Sequence, residues 1–350
     1  MGCPSILCAR AGKHETAVDK PPPPWYTRAK RFLERDYNAM MKHNLTFPAL
    51  ALAGGAAAFV FRLLQVRTGF EADTGLPIPG NPWGLILIVL LVLVAAALAL
   101  LAWKLPPEPT APAFPQAFST TSTGTLTVLI MGVFLLGVSG VLDLFSGLSA
   151  GASLPADAYA ITADGVSQSG FSAKEHLILG LLTLLSAVSL FPAAAVCRRP
   201  GSHEPSAAPR KTMQGNLLLV PVVCLVIRLV LVYRVDSIDP VLSDYYLELL
   251  ALVFLTLGFY RLSSFAFGAG RTDRFALYAG LAVVLCLAVL ADGFRSSQLP
   301  VTLFHAGGAI TLLGFLLLRM GTPLPAGKRR RRRAALPDAD DCTAPPSDNS

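Results

Sequence analysis

Charged residues are scarce in this sequence. Asp, Glu, Lys and Arg make up 15% of the 350 residues, whereas soluble domains carry about 25%. Hydrophobic residues make up 53%, and the mean hydropathy is +0.56. A soluble fold needs a polar surface, but a helix bundle in lipid keeps apolar side chains on its outside. The composition therefore excludes an ordinary soluble domain and indicates an integral membrane protein.

The sequence also lacks several signatures of catalysis and metal binding. It has no Walker loop, no His-Glu-x-x-His and no paired Cys-x-x-Cys. The stretch Gly268-Ala269-Gly270 lacks the third glycine of a dinucleotide-binding turn and follows an apolar run instead of a strand. We therefore predict that the protein is not an enzyme, that it needs no cofactor and that it holds no metal ion.

Eight apolar runs are long enough to cross a bilayer, which takes about 20 residues in a helix. The second is the clearest, because Trp83 and Trp103 bracket it as indole rings do at the two membrane interfaces. We predict an all-α fold, a polytopic transmembrane helix bundle of about eight spans. The predicted spans are Leu45 to Val66, Trp83 to Trp103, Thr125 to Leu148, His176 to Cys197, Gly215 to Tyr233, Tyr245 to Phe267, Phe275 to Gly293 and Leu299 to Met320.

The basic residues indicate the orientation, because loops rich in Lys and Arg stay in the cytoplasm. With the N terminus inside, 22 of the 29 Lys and Arg residues fall in cytoplasmic segments, and only Arg67, Lys174, Arg234 and Arg295 fall in external loops. The bias predicts that both termini are cytoplasmic. It also accounts for the net charge of +7. Because the basic residues do not form a surface with interleaved aromatic residues, we predict no nucleic-acid partner.

No cysteine falls in an external loop of this topology. Disulfides form in oxidising compartments outside the cytoplasm, so we predict none. Cytoplasmic segments contain or adjoin Cys3, Cys8, Cys197 and Cys342, and the spans contain Cys224 and Cys286.

The two ends of the chain differ from the bundle at residues 45–320. Residues 1–44 form a basic N-terminal arm in which Trp25, Phe32 and Met40 belong to an apolar stripe at helical spacing, typical of a short interfacial helix. A solvated tail, or translation that begins at Met40 or Met41, fits the same residues.

Residues 321–350 are predicted to be a disordered cytoplasmic tail that is basic and then acidic. Beyond the lipid bilayer itself, the predicted partner is anionic lipid, which a cluster of arginines attracts near the membrane surface. Whether the protein has a protein partner is not indicated by the sequence. The cluster consists of Arg329, Arg330, Arg331, Arg332 and Arg333.

Polar landmarks recur in the same order in the two halves of the chain, as in a 4+4 parallel repeat. The matched residues are 166, 149 and 129 positions apart, so the loops of the two halves would differ in length. Chance similarity between apolar runs explains the same landmarks, and both interpretations stay open. The matched pairs are Arg62 with Arg228, Asp143 with Asp292, and His176 with His305.

Ionisable residues inside the spans are the first candidates for function, because a charge at the bilayer centre costs at least ~2.5 kcal/mol on insertion scales. In the predicted orientation, seven of them fall in the outer half of the bundle. We predict that they converge on a polar cluster that is open to the exterior and binds a ligand. They are Arg62, Asp143, His176, Arg228, Glu248, Asp292 and His305.

Arg228 and Glu248 form the best predicted pair, because a helical rise of about 1.5 Å per residue puts them at similar depth. Each candidate also has a structural interpretation. Arg228 and Glu248 would neutralise one another, or Arg228 would extend to the interface. His305 would bond to a neighbouring backbone carbonyl, and Asp143 and Asp292 would be near-surface residues that end their helices.

The stretch Arg67-Thr68-Gly69-Phe70-Glu71, followed by Gly75-Leu76-Pro77 and Pro79-Gly80-Asn81, precedes the second span. Together with Asp239-Pro240 and the span Tyr245 to Phe267, it resembles uncharacterised multi-pass membrane proteins of Gram-positive anaerobic bacteria. The resemblance covers about Met41 to Met320 and leaves out both tails. It implies a bacterial plasma membrane, and it implies no activity and no site residues.

Three classes of function fit these features. The first is a transporter-like or small-ligand-binding bundle that uses the outer polar cluster, since charges that face a common side suit a substrate path. The second is an accessory or sensory subunit of another membrane protein. The third is an intramembrane enzyme that acts on lipid, with His305 or Asp292 as acid or base.

Overall fold

The computed structural model of the chain describes residues 24–69, 78, 80–105, 114–120, 122–153, 172–198, 211–236, 242–293 and 299–321. For residues 24–44, 150–153, 211–215, 236 and 242–245 it describes the backbone alone. The helices in these ranges are α1 (Pro24–Thr68), α2 (Trp83–Lys104), α3 (Thr123–Ser153), α4 (Ala173–Val196), α5 (Lys211–Asp236), α6 (Leu242–Ser264), α7 (Thr272–Val289) and α8 (Leu299–Gly321), with a short 3-10 helix at Gln116–Phe118.

The prediction of about eight spans in an all-α fold is confirmed. The seventh span was predicted to run from Phe275 to Gly293, but the α-helix ends at Val289. The chain then continues in a tighter turn, in which Asp292 donates its backbone N–H to Val289 O at 2.9 Å. Within the described residues, the segments long and apolar enough to cross a membrane are Leu45–Thr68, Trp83–Lys104, Thr123–Ser149, Ala173–Val196, Asn216–Val235, Tyr246–Ser264, Thr272–Val289 and Leu299–Gly321.

Residues 1–43 and 44–350 form two separate units. In the first unit the described backbone is helical from Pro24 onward, and the side chains of the predicted interfacial stripe lie outside the described residues. The predicted C-terminal tail, including the lipid-binding arginines at positions 329–333, also lies outside them. All eight candidate spans belong to the second unit.

Helices α3 to α8 pack in a ring. Each packs against the next along the chain, and α8 also packs against α3, which closes the ring. The first two spans lie on α7: α2 packs against it, and Gly55 of α1 faces Leu287 of α7. Because α3, α4, α5 and α8 thus lie around a common interior, polar residues on their inner faces can meet.

Glycines allow α3 to approach its neighbours at backbone distance. A Cβ atom on Gly140 would lie 2.8 Å from Leu184 N of α4, and one on Gly180 would lie 2.7 Å from Leu144 N of α3. On the other side of α3, a Cβ atom on Gly132 would lie 2.5 Å from Thr311 N of α8. Small residues at helix contacts are the usual means of close packing in membranes. This packing brings α3, α4 and α8 close together.

We expect Gly140→Ala to lower the free energy of unfolding by about 1–3 kcal/mol, because the added methyl group meets backbone atoms that cannot move independently of their helix. Gly137→Ala is the matched control on the same helix, since its Cβ would lie 3.7 Å from Ala187 Cβ, an ordinary contact. Thermal unfolding of the purified variants in detergent measures the difference. Equal stability of the two variants would contradict the close approach of α3 and α4.

Residues 114–120, which we call the cap segment, close one end of the ring. The Phe118 ring is fully buried and makes edge-to-face contacts with Phe265, Phe275 and Phe315, at centroid distances of 5.2, 5.6 and 5.7 Å. Backbone hydrogen bonds hold both ends of the segment, from Phe114 N to Phe265 O (3.1 Å) and from Thr120 N to Cys197 O (2.9 Å). This end is therefore filled by aromatic side chains.

Arg319 lies buried beside the cap segment. Its Nε and Nη2 both donate to Thr272 Oγ1, at 2.9 and 2.7 Å, and Nη1 donates to Ala117 O at 3.4 Å. In the sequence, Arg319 lies at the end of the predicted span Leu299 to Met320, where a basic side chain commonly reaches the membrane surface. The structure instead joins it to α7 and to the cap segment, so that its charge is part of the internal packing.

Candidate functional site

The seven predicted site residues lie at the opposite end, where odd-numbered helices end and even-numbered helices begin. We call this the polar end. The structure divides them between two groups, because Arg62 and Asp292 lie where α1 meets α7, whereas the other five belong to the ring helices α3, α4, α5, α6 and α8. The Arg62 group consists of Arg62, Gln65, Tyr246 and Asp292. The Arg228 group consists of Asp143, His176, Thr183, Arg228, Glu248 and His305.

The Arg62 group contains a short ion pair. Arg62 Nε donates to Asp292 Oδ1 at 2.7 Å, and Arg62 Nη1 donates to Gln65 Oε1 at 3.1 Å, one helical turn further along α1. Tyr246 of α6 is close enough to interact electrostatically with both charges. The guanidinium is thus neutralised and hydrogen-bonded, so that its burial leaves no uncompensated charge.

Arg228, which is 2% exposed, is the centre of the second group. Its Nη1 donates to Thr183 Oγ1 of α4 at 3.0 Å and lies 3.7 Å from Asp143 Oδ2 of α3. Its Cζ lies 3.7 Å from the centroid of the Phe304 ring of α8, a cation–π contact. Four ring helices therefore meet at this guanidinium.

The Arg228 group has hydrogen-bonding capacity that no described residue fills. Arg228 Nε, Asp143 Oδ2 and His305 Nε2 are buried and make no hydrogen bond with the described part of the chain. The 3.7 Å separation of Arg228 and Asp143 is an ion pair but is longer than a hydrogen bond. Most buried polar atoms in proteins are hydrogen-bonded, so this group differs from an ordinary structural pair.

A capping box places His176 in the first turn of α4. Ser172 Oγ accepts a hydrogen bond from Glu175 N at 3.4 Å, and Glu175 Oε2 accepts one from Ser172 N at 2.8 Å. His176 Nδ1 then lies 3.6 Å from Asp143 Oδ1. The His176 side chain is 27% exposed and that of Asp143 is 2% exposed, so the pair connects the surface with the buried guanidinium.

His305 is fully buried on α8. Its Nδ1 lies 2.9 Å from Val301 O, and because a carbonyl oxygen only accepts, Nδ1 carries the hydrogen. This is the backbone contact that the sequence suggested for His305. In the neutral ring, Nε2 is then a hydrogen-bond acceptor. Its lone pair is available to a group that donates a hydrogen.

Glu248 interacts electrostatically with Arg228. The ion-pair distance that the structure gives for Arg228 is to Asp143, and the hydrogen bond is to Thr183. Hydropathy indicates depth in the membrane, whereas neighbours depend on which face of each helix points inward. For that reason the sequence placed Asp143 at the right depth and did not pair it with Arg228.

Thr183 and Gln65 were not among the predicted site residues. Both are neutral and lie in apolar helices, where a polar side chain is common. Such a side chain usually bonds within its own helix, as Thr183 Oγ1 does by donating to Leu179 O at 2.8 Å. For Gln65, its spacing from Arg62 could have indicated the contact, since it follows Arg62 by three residues and lies on the same helix face. For Thr183, no spacing on α4 links it to a residue of α5.

One Gly-x-Ser-x-Gly stretch occurs at residues 147–151, and it is helical within α3. Ser149 Oγ donates to Phe145 O of the preceding turn. A hydrolase nucleophile of this motif instead needs a sharp turn between a strand and a helix. The stretch therefore does not provide a nucleophile elbow.

The fold and its buried charges define an integral multi-pass membrane protein, with eight helices able to span a bilayer among the described residues. The chain matches no protein-family model, no curated protein and no solved structure. The resemblance to membrane proteins of Gram-positive anaerobic bacteria therefore stays a prediction.

Proposed function

We propose that the protein is a transporter-like or small-ligand-binding membrane protein without catalytic activity, and that the Arg228 group is its binding site. The observation that carries the proposal is the contrast between the two ionic groups. Arg62 meets Asp292 at 2.7 Å with Gln65 alongside, whereas Arg228 and Asp143 are 3.7 Å apart. Because buried charges in membranes are costly and are retained where they act on substrates or ions, the looser group is the better site.

In this proposal the Arg62 group is structural. Asp292 is neutralised by Arg62, which leaves it poorly suited to act as a base. His305 holds its Nδ1 hydrogen on Val301 O. These contacts give the intramembrane-enzyme alternative weaker support than ligand binding.

An accessory or sensory role is the alternative. One observation favours it: only 22% of the membrane-spanning part of α2 is buried, whereas 67% is buried in α7 and in α8. An apolar helix with so little packing has a wide face for lipid or for another membrane protein. Purification of the protein with a stoichiometric partner would support this alternative.

We infer that the polar end faces the exterior of a bacterial plasma membrane and that both termini are cytoplasmic. The basis is the concentration of Lys and Arg in the segments that adjoin the other end. A ligand would then enter from outside, past the exposed edge of His176. The cap segment would lie on the cytoplasmic side.

The reciprocal pairing of charges supports a duplicated four-helix unit. Arg62 and Arg228 are matched in the two halves, as are Asp143 and Asp292. Each arginine pairs with the aspartate of the other half, Arg62 with Asp292 and Arg228 with Asp143. Exchange of this kind fits a two-fold arrangement of repeats. The helix packing does not follow such an arrangement, because α8 packs against α3 whereas α4 shows no comparable packing against α7 in the described ranges.

A ligand panel tests the proposed function. Thermal unfolding of the purified protein in detergent is measured with inorganic ions, carboxylates, amino acids and lipids, for wild type and for Arg228→Lys and Glu248→Gln. We expect at least one ligand to raise wild-type stability, because a ligand that binds only the folded state stabilises it by about 2.7 kcal/mol at a hundred times its Kd. The variants should respond less. If both variants are merely less stable and no ligand acts on wild type, the charges are structural and the proposal is wrong.

A further inference from the structure

We propose that the seam between α6 and α7 binds an anionic phospholipid, with Arg261 and Arg274 as the residues that hold its phosphate. The seam is taken at the capped end of the bundle, where the cap segment lies. The site is separate from the Arg228 group at the polar end and does not depend on the ligand proposed there. It is defined by an arginine held against tyrosine rings, an excess of positive charge, and an apolar face that leads toward the middle of the bilayer.

Arg261 of α6 lies against two tyrosine rings near the membrane surface. Its Cζ is 5.5 Å from the centroid of the Tyr260 ring and 5.4 Å from that of the Tyr278 ring of α7, both within the range of cation–π contacts. The candidate span of α6 ends at Ser264, so Arg261 lies one turn inside it. Tyrosine rings are enriched at this level of a membrane, where the lipid headgroups begin.

The guanidinium of Arg261 makes no hydrogen bond or ion pair with the described part of the chain. Its Nε is buried while the side chain as a whole is half-buried, so the two terminal nitrogens are the donors that a ligand from the lipid side can reach. Guanidinium groups bind phosphate through parallel N–H donors. The terminal nitrogens supply such a pair along one edge.

Positive charge is in excess where α6 ends and α7 begins. Arg274 is exposed in the first turn of α7, four residues before Tyr278 and on the same helix face. Asp273 is the single carboxylate among the side chains that the structure describes at the capped end, and Arg271 donates to both of its oxygens, at 3.2 and 2.7 Å. Arg274 also attracts Asp273. One carboxylate cannot neutralise three arginines, so a bound anion would relieve the excess.

An apolar face runs along α6 from Arg261 toward the middle of the bilayer. Phe254 lies seven residues before Arg261, two helical turns and about 10 Å away on the same side of the helix. Its ring is 6.3 Å from that of Tyr278, so it belongs to the same seam. Leu250 continues the face one turn further and is 39% exposed. An acyl chain can lie on these side chains while its headgroup meets Arg261, a second contact that a free phosphate ion lacks.

The excess of positive charge selects among headgroups. Phosphatidylglycerol carries one net negative charge on its phosphate, whereas phosphatidylcholine adds an ammonium group that arginines repel. Basic residues near the membrane surface attract anionic lipid over a short distance. The seam should therefore bind the anionic lipid in preference to the zwitterionic one.

Native mass spectrometry of the purified full-length protein tests the proposal. The protein in detergent micelles is titrated with dioleoyl phosphatidylglycerol or with dioleoyl phosphatidylcholine, and the population of the first lipid adduct gives the affinity. Sodium phosphate in millimolar excess is the competitor that represents the free ion. The full chain keeps the arginines at positions 329–333 in every protein, so their attraction for lipid is the same throughout.

The variants are Arg261→Gln, Arg261→Lys and Arg274→Gln. Arg198→Gln is the matched control, because Arg198 is also exposed at the capped end but follows α4, which packs against α3 and α5. Each substitution to Gln removes one positive charge. Gel filtration shows whether a variant stays folded, and Arg274→Gln at an exposed position tests the site even if Arg261→Gln does not fold.

We expect phosphatidylglycerol to bind wild type at least about fivefold more tightly than phosphatidylcholine, and sodium phosphate not to displace it. Arg261→Gln and Arg274→Gln should each weaken its binding by about fivefold, the factor for one arginine near an anionic headgroup. Arg261→Lys should also bind more weakly than wild type, because an ammonium lacks parallel donors. Arg198→Gln should bind as wild type.

Three results would overturn the proposal. Equal binding of the two lipids, or equal losses in Arg198→Gln and Arg261→Gln, would show that the attraction is a diffuse effect of basic charge. Wild-type affinity in Arg261→Lys would show that the guanidinium is not recognised as such. Displacement of phosphatidylglycerol by sodium phosphate would show that the seam takes the free ion. Each of these results leaves the function proposed for the Arg228 group untouched.

Discussion

Asp143→Ala is expected to lower the free energy of unfolding by about 3–5 kcal/mol, because it leaves the buried guanidinium of Arg228 without its nearest carboxylate. Arg228→Met removes the opposite charge and should also destabilise the protein. The double variant Asp143→Ala/Arg228→Met should lose less than the sum of the two single effects, since neither charge is then left without the other. Unfolding of the four proteins in detergent measures the coupling energy.

The Arg62–Asp292 pair is an internal comparison for this cycle. Its 2.7 Å contact includes a hydrogen bond, whereas the Arg228–Asp143 pair has a separation of 3.7 Å. We therefore expect the larger coupling energy between Arg62 and Asp292. Arg234→Gln is the exposed control on α5, because its side chain is 76% exposed and such pairs contribute little. An additive cycle at Arg228 and Asp143 would contradict the ion pair.

Phe118→Ala is expected to lower the free energy of unfolding by about 3–5 kcal/mol, since it removes a fully buried ring and leaves a cavity among three other phenylalanines. Loss of the ring should also loosen residues 114–120 and expose Arg319 to water. Thermal unfolding in detergent gives the stability, and amide hydrogen exchange in the cap segment reports its opening.

Phe134→Ala on α3 is the matched control for this substitution, because its ring is 56% exposed at the outside of the bundle. It should change stability by less than about 1 kcal/mol. If both phenylalanine variants lose the same stability, the cap segment is not an integral part of the packing at that end.

The spans could be predicted from the sequence because length and hydropathy decide whether a helix crosses a membrane. The second span shows how closely this works: the run from Trp83 to Trp103 corresponds to a helix that ends at Lys104. Start positions that depend on caps were less accurate. For α4, the Ser172–Glu175 capping box starts the helix at Ala173, three residues before the predicted start.

The depth of the seven site residues in the membrane could be predicted from the sequence. Their division into two groups could not. All seven residues lie at one end, as the alternation of helix directions required. Their division into two groups depends on α1 packing against α7 and on α3 meeting α5 within the ring. Apolar helices of similar composition carry no signal for such choices, and glycines such as Gly132 and Gly140 reveal close approach only once the partner helix is known.

The sequence also carries no signal for the cap segment. Its short 3-10 helix at Gln116–Phe118 lies between two spans and resembles an ordinary loop in composition. Arg319 ends an apolar run, a position typical of a basic residue at the membrane surface. Its burial depends on Thr272 and Ala117, which come from other parts of the chain. No local pattern indicates such contacts.

Cysteine labelling shows whether water reaches the polar end from outside the membrane. The native cysteines are first replaced; the described ones are buried, and burial raises the pKa of Cys197 to about 12. His176→Cys, Glu248→Cys and, at the capped end, Thr272→Cys are then introduced singly. Intact cells and inside-out vesicles are treated with a membrane-impermeant thiol reagent.

We expect labelling of the cysteine at position 176 in intact cells, slower labelling at position 248, and none at position 272, because the proposed orientation opens the polar end to the exterior and places the capped end on the cytoplasmic side. Gel filtration of each variant confirms that it is folded. Labelling at position 176 only in inside-out vesicles, or in neither preparation, would contradict an outward-facing polar site.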